Sequence, residues 1–130
     1  TVAYFMIGTP TERSRQDVLD TIDYSIRLKP DFVMYNILTP FPGTTLWDEG
    51  ERDGVLDPRP WFHFMENPTD EFKAQVWDEY FTREELRELL DYAWRKFYWR
   101  PSFVAANVLQ VRSYTDLKRK ATAGFRLLTG

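Results

Sequence analysis

A chain of 130 residues is the size of one domain or of a section of a larger one, and its 43% apolar and 17% aromatic content is ample for a packed core. No run approaches the ~18 apolar residues of a membrane span, and no signal-peptide pattern opens the chain. The absence of cysteine excludes disulfides and thiolate-bound metal, and it fits a cytoplasmic location. Charge is split along the sequence. Residues 1–94 carry nine Lys/Arg against nineteen Asp/Glu, a balance of −10, whereas residues 95–130 carry eight basic residues against Asp116 alone, a balance of +7. Such asymmetry marks either an interaction surface or a basic tail that is solvated or packs on the acidic front.

In chain order, residues 2–7 read as a strand that ends at Gly8-Thr9-Pro10. The first residue is Thr1 rather than Met, and a natural protein rarely begins inside a buried strand. The chain is therefore expected to be excised from a longer one. Ser14 and Asp17 form a helix-start signal, and Val18, Ile22, Ile26 and Leu28 lie near helical spacing, so a helix is predicted over 14–28. It should end before Pro30, because the residue preceding proline avoids the α region. Residues 31–37 form a second strand, crowded with apolar side chains as in a strand buried on both faces. Strand, helix and strand over 2–37 make a βαβ crossover with a parallel pair.

Leu38-Thr39-Pro40-Phe41-Pro42-Gly43-Thr44 follows, with two prolines and a glycine holding a non-helical path. A turn at the carboxyl end of a parallel strand is where α/β proteins place ligands. A short helix should start near Thr44 and stop near Gly54. From Asp57 a proline-broken aromatic segment, through His63 and Phe64, is expected to wrap back over the domain. Thr82 and Glu85 form a capping box for a helix over 82–97, whose apolar stripe is Leu86, Leu89, Leu90, Ala93 and Phe97. Further helices are predicted over 101–111, with Pro101 in the first turn, and from 113 or 115 to about 128.

Gly8 would let a ligand approach the backbone, or serve only its turn. Glu12 offers its carboxylate to a ligand hydroxyl or amine, or only to the dipole of the following helix. Asn36 either contacts a ligand from the centre of a sheet or barrel or makes a structural hydrogen bond. His63, the single histidine, has no cysteine or second histidine to complete a metal site and reads as a packed or surface residue. The carboxylates of the two long helices read as solvated faces, and no phosphate-cradling glycine loop is present. In Phe97-Tyr98-Trp99-Arg100-Pro101-Ser102-Phe103, aromatics beside arginine suit three roles: seating two helices at the Pro101 break, a lipid headgroup boundary, or base stacking.

Taken together, Tyr4-Phe5-Met6-Ile7-Gly8-Thr9-Pro10-Thr11-Glu12, Asp31-Phe32 entering a strand, and the turn of residues 38–44 resemble the late barrel strands of radical S-adenosylmethionine enzymes. Within that superfamily the chain is most similar to the class with an N-terminal cobalamin-binding domain, which includes an anaerobic oxidative cyclase of magnesium-protoporphyrin monomethyl ester and hopanoid-type lipid enzymes. The run from Phe97 to Ser102 resembles the helical extension that follows the barrel there. The family's turn is Gly-x-Pro-Gly-Glu, and Thr11 stands in place of its second glycine. The defining C-x-x-x-C-x-x-C cannot lie in a chain without cysteine, and the resemblance places it upstream, with the cobalamin domain.

The fold that this implies is α/β: the C-terminal βαβ portion of a partial TIM-type barrel over 1–56, followed by an α-helical extension over 57–130. The implied cofactors of the parent protein are S-adenosylmethionine and a 4Fe-4S iron–sulfur cluster, with cobalamin left open. The implied cofactor-binding residues are Ile7, Gly8, Glu12, Asn36 and Leu38, with no catalytic residue and no metal ligand in this segment. Backbone groups around Ile7, Asn36 and Leu38 would contact adenine or ribose. The expected activity of the parent is oxidative cyclisation or methyl transfer on a large apolar or tetrapyrrole substrate, and the segment alone should be inert. Its expected partners are the rest of the parent chain, a hydrophobic small molecule and a membrane surface, not nucleic acid. Self-association through open strands is also expected of the isolated segment. The alternative is a non-catalytic module whose basic aromatic tail binds a partner or a membrane.

Overall fold

The structure, a computed structural model, describes residues 1–109. In chain order these form β1 (Val2–Ile7), α1 (Arg15–Arg27), β2 (Phe32–Ile37), α2 (Thr45–Arg52), α3 (Arg59–Glu66), α4 (Arg83–Tyr98) and α5 (Pro101–Leu109). The helix predicted near 113–128 lies outside the described residues. Residues 1–94 form one compact unit, and residues from 95 onward belong to a second. No helix among the described residues is long and apolar enough to cross a membrane.

β1 and β2 pair in parallel, with Val2 opposite Phe32 and Ile7 opposite Ile37. Parallel neighbours cannot be joined by a tight turn, so α1 serves as the crossover. Its start is set by Ser14, whose hydroxyl accepts from the Asp17 N–H at 3.3 Å while the Asp17 carboxylate accepts from the Ser14 N–H at 2.8 Å. α4 starts in the same way: the Thr82 N–H donates to Glu85 at 2.8 Å, and the Glu85 N–H donates to the Thr82 hydroxyl at 3.2 Å. Each reciprocal pair satisfies backbone donors that the first helical turn leaves open.

α1 and α4 cover one face of the sheet. Ile7, Val33 and Tyr35 from the strands, Val18, Ile22 and Ser25 from α1, and Leu86, Leu89 and Ala93 from α4 are all buried. Phe5 meets Tyr24 of α1 edge-on at 6.4 Å between ring centres, and Tyr35 meets Trp94 of α4 at 5.9 Å. The Ser25 hydroxyl donates to the Ile22 carbonyl at 2.6 Å and is also hydrogen-bonded to the Tyr35 hydroxyl. Since Ser25 has one proton and spends it on Ile22, Tyr35 is the donor of that second bond.

A second apolar cluster gathers Trp47 of α2, Leu56 and Trp77, with Leu38, Leu46, Val55 and Trp61 packed against it. α2 closes with Gly54 in the left-handed region, the Val55 N–H bonded to the Gly50 carbonyl at 2.8 Å and the Gly54 N–H to Glu51 at 3.2 Å. This Schellman closure turns Leu56 back onto the helix. The segment from Asp57 departs from the expectation of an irregular wrap, because residues 59–66 form α3. Pro60 lies in the first turn of that helix, where a missing N–H costs no hydrogen bond, so the prolines start the helix rather than break it. The segment still packs back as expected, since Trp61 of α3 meets Trp47 of α2 at 6.3 Å between ring centres, and Trp77 joins the same cluster further on.

Two measurements follow from these contacts. A Cβ added at Gly50 would lie 2.6 Å from Leu56 Cδ1 and 2.9 Å from Trp77 Cζ3, both on buried side chains. Overpacking of about 1–3 kcal/mol then exceeds the helix-propensity gain of about 1 kcal/mol. Gly50→Ala should therefore lower the urea midpoint. The second concerns pH. The Ser14 hydroxyl and backbone N–H hold Asp17 below the usual carboxylate range, and the Thr82 N–H and hydroxyl do the same for Glu85. Depressed values mean that the stabilisation is present at neutral pH and is lost as pH falls through the carboxylate range. Asp17→Asn with Glu85→Gln should make the urea midpoint less sensitive to acidification than in the wild type.

Candidate functional site

Among the described residues of the first unit, none covers the face of the sheet opposite α1 and α4. Val2, Tyr4 and Met6 of β1 and Phe32, Met34 and Asn36 of β2 are all exposed, Tyr4 at 75% and Met6 at 59%. Parallel sheets are normally buried on both sides, so six such side chains open to solvent are unusual. The register sets Tyr4 beside Met34 and Met6 beside Asn36. The face carries no charge. It offers flat and polarisable apolar surface, one phenol and, at the carboxyl end of β2, one amide. That combination suits an uncharged ring system with a hydrogen-bonding edge.

Both strands end at the same level and pass into the two turns singled out in the sequence. The Leu38 N–H donates to the Ile7 carbonyl at 2.9 Å, extending the ladder one step beyond β2. These two backbone groups, expected to face a cofactor, are thus engaged with each other. The Ile7 side chain is fully buried on the covered face, and that of Leu38 packs toward the Trp47 cluster.

Gly8 has φ +75, and a Cβ there would stand 2.8 Å from Leu86 Cδ2. What comes close to this glycine is a leucine of α4. Glu12 is only 5% exposed. One of its oxygens accepts from the Thr9 N–H at 3.0 Å and the Thr9 hydroxyl at 3.2 Å, and the other accepts from the Thr21 hydroxyl at 2.7 Å. It ties the first turn to α1. Of the five expected residues, Asn36 is the one that presents its side chain on the open face.

The second turn is held from below. The Thr44 hydroxyl donates to the Phe41 carbonyl at 2.8 Å and accepts from the Trp47 N–H at 3.3 Å, which caps α2. Phe41 rests against Trp61 of α3 at 5.5 Å, and Trp61 in turn meets Phe72 at 4.7 Å. His63 is exposed, and no group of three metal-ligating side chains occurs among the described residues.

Residues that the sequence reading did not single out are Tyr4, Met6 and Met34. The signal was present as strand parity: alternate residues of both strands form one uncharged row. Apolar side chains on both parities of both strands concealed which row would be covered.

Over 107 residues the chain is 31% identical to a protein of Pyrococcus horikoshii named an uncharacterised methyltransferase. The match covers 82% of this chain but 22% of that protein. The chain therefore spans about a fifth of the length of the relative that it matches. No family model matches the chain, and no solved structure matches it.

The roles of Glu12 and Asn36 separate by stability. Glu12→Ala leaves the buried side of the first turn without its acceptor and should cost about 1–3 kcal/mol in urea unfolding. Asn36→Ala, on an exposed face, should change stability by no more than about 0.5 kcal/mol. Equal losses for the two variants would contradict this division.

Proposed function

We propose that this chain is a section of an S-adenosylmethionine-dependent enzyme in which the open face of β1 and β2 forms one wall of the cofactor and substrate cavity. The observation that carries the reading is the uncharged six-residue row on one face of a parallel sheet, ending in an amide between two braced turns. The likeness to a protein named a methyltransferase supports S-adenosylmethionine as the cofactor and methyl transfer as the reaction class. The resemblance of the two turns to radical S-adenosylmethionine enzymes supports a finer reading, in which further strands continue the sheet into a barrel around this face. Oxidative cyclisation of a tetrapyrrole belongs to the same chemistry, but the relative's name favours methyl transfer.

S-Adenosylmethionine supplies a methyl group or, on one-electron reduction, a deoxyadenosyl radical. The residues of this segment bind and orient. Asn36 can donate to and accept from the edge of a base or a ribose hydroxyl. Met6, Met34 and Tyr4 supply the apolar wall beside it and keep water from that side. The residues do not fit an iron–sulfur cluster, because the chain has no cysteine. In the radical reading the cluster is held by residues outside this segment, as is any cobalamin.

Equilibrium dialysis of the full-length protein against labelled S-adenosylmethionine tests the reading. The wild type should bind, and Asn36→Ala should weaken binding by about three- to tenfold, the worth of one lost hydrogen bond. Absence of binding by the full-length protein, or an unchanged dissociation constant in the variant, would overturn it.

A further inference from the structure

Each face of the β1–β2 sheet carries a phenol, and the two stand in opposite surroundings. Tyr35 on the covered face is 2% exposed, and its hydroxyl is hydrogen-bonded to Ser25. Tyr4 on the open face is 75% exposed. A buried phenol needs a partner for its hydroxyl, which is what Ser25 supplies to Tyr35. Apolar side chains laid over the open face would strand both the Tyr4 hydroxyl and the Asn36 amide. A cavity that holds ligands satisfies them, so these two groups point to occupants with hydrogen-bonding edges rather than to closed core.

The register separates the two groups. Tyr4 is opposite Met34 and Met6 is opposite Asn36, so Tyr4 lies on the neighbouring strand, two residues below the level of Asn36. With a rise of about 3.3 Å per residue and about 4.8 Å between strands, their backbones are roughly 8 Å apart along the diagonal. Each has apolar neighbours of its own. Asn36 has Met6 beside it, whereas Tyr4 has Met34 beside it and the Val2–Phe32 pair one step further down, all exposed. Two aromatic rings and a thioether make a surface on which a flat ring stacks.

Charge divides the face between two molecules. S-Adenosylmethionine carries a sulfonium, an ammonium and a carboxylate, and no side chain of this row can pair with any of them. Its uncharged base or ribose suits the Asn36 end, and the Tyr4 end is left over. We propose that the Tyr4 end holds the second substrate, an uncharged ring compound bearing one hydroxyl or carbonyl that the Tyr4 phenol recognises. The assignment rests on the cofactor reading of the Asn36 end. The phenol donates to a carbonyl, or donates to and accepts from a hydroxyl, while the ring lies on Tyr4, Phe32 and Met34. Phosphate- and carboxylate-bearing acceptors are selected against, because an anion buried beside these residues has no counter-charge.

Equilibrium dialysis of the full-length protein against naphthalene, 2-naphthol and naphthalene-2-sulfonate tests this, since the three probes share one ring system and differ in its substituent. The wild type should bind 2-naphthol about three- to tenfold more tightly than naphthalene, the worth of one hydrogen bond, and naphthalene-2-sulfonate more weakly than either. Tyr4→Phe keeps the ring and removes the hydroxyl. It should bind 2-naphthol and naphthalene equally, and its retained affinity for naphthalene shows that the site is still folded. Saturating S-adenosylmethionine should not displace 2-naphthol. Absence of 2-naphthol binding, equal affinity for all three probes, an undiminished preference for 2-naphthol in Tyr4→Phe, or displacement by S-adenosylmethionine would each overturn the proposal. Any of the first three, found while S-adenosylmethionine still binds, leaves the cofactor reading intact. If S-adenosylmethionine fails to bind while the probes follow the expected order, the cofactor reading falls and the Tyr4 ring site stands.

Discussion

The rest of this structure depends on the parallel pairing of β1 and β2. Two parallel strands must be joined by a crossover, and a two-stranded sheet does not stand by itself in water. α1 is held against the sheet by its own capped start, by the Ser25–Tyr35 hydrogen bond and by the carboxylate of Glu12. α4 arrives from much further along the chain to complete the cover, with Leu86 on Gly8 and Trp94 on Tyr35. Among the described residues, the helices that cover the pair lie on one side.

That one-sidedness separates support from presentation. The covered face is a packed core of aliphatic and aromatic side chains with its polar groups paired. The open face keeps similar apolar character with its side chains exposed, and it carries its amide at the end where both turns begin. Glu12 accepts hydrogen bonds from Thr9 and Thr21, and Leu86 stands against Gly8, so both residues also take part in the support. Asn36, Tyr4 and the two methionines stand exposed on the open row. A second cluster of tryptophans under the Thr-Pro-Phe-Pro-Gly-Thr turn keeps the rim of that face in place.

Local signals explain which parts were legible in the sequence. The Ser14/Asp17 and Thr82/Glu85 boxes announced two helix starts to within a residue, and Pro30 announced the end of α1. The parallel pair followed from strand, helix and strand in succession. α3 was missed because proline at a helix start and proline in an irregular segment look the same without knowing where the first turn falls. The site was less legible because its assignments rest on distant partners. Thr21 satisfies Glu12 across a turn, and Leu86 fills the space at Gly8 from another helix, and neither pairing leaves a mark in the local sequence. Parity identified two rows in each strand, but only the arrival of α4 decided which row was hidden.

The ladder bond from the Leu38 N–H to the Ile7 carbonyl has a mechanical consequence. It joins the roots of the two turns directly, beyond the last residue of β2, so neither root can move along the strand axis without carrying the other or breaking that bond. The first turn is also bolted to α1 through Glu12, and the second to α2 through Thr44. One set of hydrogen bonds thus runs from α1, through both strand ends, to the start of α2.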